Sequence, residues 1–140
     1  MNSATTVMQK IKDAFHRIMT GNTPIDLIML CDFGKAVSPK HTIRIQPDEH
    51  ETLQKIDLPH IKRMIGIERQ KFIEDPYTDA RTEKSKNDLI SWVPVGGHGW
   101  VLLFVSTSET DEARFDWAVS TNLEELEADL FELGHAFTAA

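Results

Sequence analysis

The chain has 140 residues and a formal charge of −7, with 15 Lys and Arg against 22 Asp and Glu; 41% of its residues are hydrophobic and 26% charged. Those proportions are those of a globular domain and exclude a disordered tail or a collagen-like repeat, and no apolar run reaches the ~20 residues that a membrane helix needs. The acidic balance also excludes non-specific affinity for nucleic acid, because neutralising phosphates takes a surplus of Lys and Arg.

One globular domain is expected across residues 1–140, a length that buries enough surface to fold without disulfides or metal. The single cysteine, Cys31, lies in an apolar run and has no partner in the chain for a disulfide. A reducing compartment and a cytoplasmic location are the expectation. The first 21 residues are not expected to act as a secretory signal, because Lys10, Lys12, Asp13 and Arg17 interrupt their apolar positions.

From Ala4 to Thr20 the apolar residues Val7, Met8, Ile11, Phe15, Ile18 and Met19 fall at intervals of three and four, which predicts an amphipathic helix. Thr23-Pro24-Ile25-Asp26 has the pattern of a second helix start, and the apolar stretch Ile25–Phe33 is read as a buried helix, with a buried strand as the rival. His41–Gln46 alternates and predicts a strand, and Asp48–Glu51 a short helical turn. A helix is expected from about Leu58 to Ile73, with Ile61, Met64, Ile65 and Phe72 inward. Residues 75–87 carry no apolar periodicity and are read as a long mobile loop.

Leu89–Val95 and Trp100–Ser106 are predicted strands joined by Gly96-Gly97-His98-Gly99, with Pro94 placing the first at a sheet edge. Phe115, Trp117 and Val119 alternate with Arg114, Asp116 and Ala118, which predicts a third strand of a meander. Thr121 and Glu124 then form a capping box for a final helix, with Leu123, Leu126, Leu130, Leu133 and Phe137 inward. The fold class expected is α+β: N-terminal helices, a three- to four-stranded antiparallel meander, and an acidic C-terminal helix packed on the sheet.

The charge is uneven. From Thr107 to Ala140 nine acids face the single base Arg114, so the first 106 residues sum to about +1. Glu125, Asp129 and Glu132 stand at i+4 and i+3 spacing, where like charges repel unless something compensates them. That predicts a partner-facing acidic surface of Glu124, Glu125, Asp129 and Glu132, joined by Asp111, Glu112 and Asp116, with Trp100 from an aromatic strand supplying affinity. The partner expected is a basic protein, of which a nucleic-acid-binding protein is one kind. No direct nucleic-acid or membrane contact is expected, and a homodimer is compatible with the reading.

Catalytic signatures are sparse. No His-Glu-x-x-His, Cys-x-x-Cys or Gly-x-Ser-x-Gly pattern occurs, and the glycines at 96–99 precede a strand where a phosphate loop would precede a helix. His98, at a glycine-rich hairpin tip, and His41 are the candidates if the protein is an enzyme with a dispersed site. No cofactor or metal is expected. The function read from the sequence is thus a non-enzymatic cytoplasmic binding module, an inhibitor or adaptor of the immunity, anti-defence or chaperone type. A small enzyme using His98 and a structural homo-oligomer subunit are the alternatives.

Overall fold

The structure, a computed structural model, describes residues 4–20, 24–34, 56–95, 99–107 and 109–139, with side chains for 6–19, 24–34, 56–95, 99–107 and 109–132. The elements in chain order are α1 (Ala4–Thr20), β1 (Leu27–Asp32), α2 (Leu58–Glu74), β2 (Arg81–Ser85), β3 (Asp88–Val95), β4 (Trp100–Thr107) and α3 (Glu112–Ala139). The strands form one antiparallel sheet in the order β1-β4-β3-β2. The α+β class is therefore as expected, with β2, β3 and β4 as the meander and β1 added beside β4.

Side-chain alternation divides the sheet into two apolar faces. Ile28 and Leu30 of β1, Leu102 and Phe104 of β4, and Leu89 and Val93 of β3 pack with α1 and α3. Leu27, Met29 and Cys31, Val101, Leu103 and Val105, and Ile90 and Trp92 point the other way, against Ile61 and Ile65 of α2. Helices thus cover both faces, as a central strand that is apolar on both sides requires.

The continuous apolar run at 25–33, where a buried helix is expected with a buried strand as the rival, forms the strand β1 over Leu27–Asp32. Buried on both faces, it has no alternation to betray a strand. Asp26, read as an acid in a first helical turn, prepares the strand: its backbone N–H donates to Val105 O at 2.8 Å and its Oδ2 accepts from Thr107 N at 3.1 Å.

The segment 75–87, expected as a mobile loop, contains β2, which pairs in register with β3 from Arg81↔Trp92 to Ser85↔Asp88. Pro94 does not mark an edge strand, since β3 lies between β4 and β2; it stands two positions past Trp92, where β2 has ended.

The expected third strand is the first part of α3, a helix of 28 residues. Asp111 starts it: its Oδ1 accepts from Ala113 N at 3.1 Å and its carbonyl from Phe115 N at 2.9 Å. Phe115, Ala118, Val119, Asn122, Leu126 and Leu130 form its buried stripe. Thr121 is not a cap; it lies inside the helix, with Oγ1 donating to Trp117 O at 2.8 Å. The predicted strand at 41–46 and turn at 48–51 lie outside the described residues.

Candidate functional site

The acidic residues singled out from the sequence do share α3, but they do not all face outward alone. Arg17 Nη2 of α1 donates to Glu125 Oε1 at 3.2 Å, and Lys10 Nζ stands 3.8 Å from Glu132 Oε2. α1 runs antiparallel to α3, and its bases supply the compensation that the like-charged spacing lacked. Asp116 Oδ1 accepts from Thr82 Oγ1 of β2 at 3.4 Å, tying the start of α3 to the sheet. Asp111 is occupied as a cap, Asp129 is half-buried, and Glu112 and Glu124 are exposed. Trp100, expected to offer affinity to a partner, is buried between the sheet and the helices. His98 and His41 lie outside the described residues.

What α3 does present is apolar. Trp117 and Phe131 are 65% and 66% exposed, a large departure for side chains of this size. Glu124 sits midway between them, seven residues from each. Positions seven apart on a helix drift by only about 20°, so the three form one outward line roughly 21 Å long. Exposed Ser120, Thr121, Glu127 and Ala128 fill the turns between. Beside the C-terminal half of that line a groove of about 380 Å³ is lined by Pro94, Val95, Leu123, Glu124, Glu127, Leu130 and Phe131. Alternation in the sequence puts Trp117 in a predicted strand, and Phe131 carries no signal there. The signal that finds them is the helical period of Phe115, Ala118, Val119 and Asn122, which turns both aromatics to the opposite side.

Two polar clusters sit on the α2 side of the sheet. Glu68, 1% exposed, accepts from Tyr77 Oη at 2.8 Å and from Arg81 Nη1 at 2.7 Å. Burial, and then the adjoining Glu68 carboxylate, push the Tyr77 phenol above its ordinary pKa. Arg81 also stacks 5.4 Å from the centre of the Tyr77 ring. In the second cluster His60 Nε2 and Ser85 Oγ are 3.0 Å apart, and Asp57 Oδ1 caps α2 by accepting from His60 N at 3.2 Å. Burial raises the Asp88 carboxyl above the usual range, with His60 acting in the opposite direction. Both clusters join α2 to β2 and its turn. Among the described residues no group of three or more His, Cys, Asp or Glu could hold a metal ion, and no helix is long and apolar enough to cross a membrane.

No protein-family model matches the chain, and no curated protein sequence matches it. Solved structures do resemble it. MglB of Myxococcus xanthus superposes with a TM-score of 0.54 at 15% identity, over 85% of this chain and 93% of that one. A structure of MglB with a tetrameric arrangement gives 0.53 at 10% identity, over 91% and 92%. A Roadblock/LC7 domain from Streptomyces avermitilis gives 0.48 at 11% identity, over 84% and 94%. At identities this low, the likeness to the two MglB structures is one of fold.

Proposed function

We propose that this chain is a non-enzymatic protein-binding module of the adaptor type, working in the cytoplasm and meeting its partner with the outer face of α3. The observation that carries the reading is the exposed line Trp117–Glu124–Phe131 beside an apolar groove. Aromatic anchors set in a polar surround are the usual energetic centre of a protein interface. Glu124 and Glu127 at its edge favour a partner whose apolar patch is bordered by Lys or Arg, and would steer its approach. An inhibitor that occludes such a patch is the narrower form of the same proposal.

The direct test is retention of a partner from the protein's own cell lysate by the wild type and by a Trp117→Ser/Phe131→Ser variant. The reading expects a stoichiometric partner that the variant loses. A partner retained undiminished overturns it.

A second reading is a structural homo-oligomer subunit. It draws support from the tetrameric arrangement of one MglB structure of similar fold. Under that reading the species lost with the two aromatics is the protein's own oligomer, and no second protein is retained.

A further inference from the structure

The charge asymmetry read along the chain is also an asymmetry across the fold. α2 covers the sheet face opposite to α1 and α3, and its outer surface has the inverse chemistry of the α3 line. Lys62, Arg63, Arg69 and Lys71 are all exposed, and none has an ion-pair partner among the described residues. Glu74 is the single exposed acid of that helix. In the middle of the surface Ile67 is 52% exposed. Arg63 and Lys71 stand at i−4 and i+4 from it and therefore flank it on one face. Gly66 beside it has nothing within 4 Å of where a Cβ would be, so the helix is flat at that point. On the other side of the molecule α3 offers Trp117 and Phe131 with Glu124 and Glu127 exposed between them.

We infer that the α3 line of one copy docks on the α2 face of another. The inference rests on the reading of α3 as a protein-binding surface and names its occupant. An apolar centre flanked by two bases meets an apolar line interrupted by acids: with Ile67 seated against Phe131, a base four residues from Ile67 lies level with Glu127, four residues from Phe131, and Glu124 follows about one turn further along. Matching of opposite charge around an apolar centre sets register and rejects the alternatives: α3 against α3 would place acid on acid, and α2 against α2 base on base.

The two surfaces lie on opposite sides of the sheet, so the contact is heterologous. A pair joined in this way keeps one free α3 line and one free α2 face, and assembly continues until a ring closes or copies run out.

The test uses the full chain, sedimentation velocity over a range of concentrations, and two charge-reversed variants, Glu124→Lys/Glu127→Lys and Arg63→Glu/Lys71→Glu. All four positions are exposed, and far-UV circular dichroism identical to the wild type certifies each variant as folded. The wild type is expected to grow past the dimer with concentration. Each variant alone now opposes like charges and should associate at least about tenfold more weakly. Mixed one to one, they restore complementarity at every junction, because the basic α3 of the first meets the acidic α2 of the second. The mixture should recover wild-type association.

A wild type that stays monomeric overturns the inference, and so does an equal mixture that fails to recover. Loss in the α3 variant with none in the α2 variant also overturns it, because α3 then meets a second copy at a face other than α2. Failure of that broader reading would show differently, as a partner retained undiminished by Trp117→Ser/Phe131→Ser.

Discussion

Arg81 Nη1 lies 2.7 Å from Oε1 of Glu68, a carboxylate that is 1% exposed, and so pins the edge strand β2 to α2. The same oxygen accepts from Tyr77. Removing one partner of a buried pair leaves an uncompensated charge, which costs about 3–5 kcal/mol when both groups are buried. The Arg81 side chain is 42% exposed, so water screens part of the interaction, and Arg81→Ala should cost about 2 kcal/mol. Urea unfolding of Arg81→Ala, Glu68→Gln and the double variant checks this. The double variant should lose clearly less than the two singles together, because one interaction is being removed twice.

The phenol of Tyr77 gives the pH dependence a definite sign. Its folded-state pKa is raised above the unfolded value by burial and by Glu68, so the folded chain holds the proton longer. The stabilisation is complete below the unfolded value of about 10 and is lost as the pH climbs toward the folded one. Stability should therefore fall as the pH rises from about 10 upward in the wild type. Tyr77→Phe, which has no proton to lose, should show a shallower decline, measured as the urea midpoint across that range.

These clusters also explain why β2 was not legible in the sequence. Its five residues, Arg-Thr-Glu-Lys-Ser, carry no apolar signal, because the side chains turned toward α2 find ionic and hydrogen-bonding partners. Arg81 meets Glu68, Glu83 accepts from Trp92 Nε1 at 2.8 Å, and Ser85 meets His60. A strand satisfied by polar contacts reads as a loop.

Where burial followed a helical stripe or a well-bounded apolar strand, as in α1, α2, β3 and β4, the pattern alone placed the element. At 114–120 two periods competed. Phe115, Trp117 and Val119 alternate, yet Phe115, Ala118, Val119 and Asn122 follow the helix, and only the exposure of Trp117 decides between them. The acidity of α3 was visible from composition. That Arg17 and Lys10 would neutralise part of it was not, since pairing across 108 residues depends on the packing of α1.

Two glycines should respond oppositely to alanine. Gly99 has φ of +85°, and a Cβ there would stand 3.0 Å from the Gly34 backbone, while its carbonyl accepts from Phe33 N at 2.7 Å. Gly99→Ala should cost about 1–2 kcal/mol. Gly66 lies in α2 with open space around it, and Gly66→Ala should stabilise by about 0.5–1 kcal/mol. Thermal unfolding of the two variants beside the wild type measures both signs.

On the proposed function, α3 meets a protein with its outer face. The most direct measurement is a photo-crosslinking amino acid placed at Ala128, which is exposed between Glu124 and Phe131, and in parallel at Lys12, which is exposed on α1. After irradiation in living cells, a discrete protein adduct should form from position 128, whether with a second copy or with another protein, and none from position 12. No adduct at 128, or equal adducts at both positions, would contradict the assignment of α3 as the binding surface.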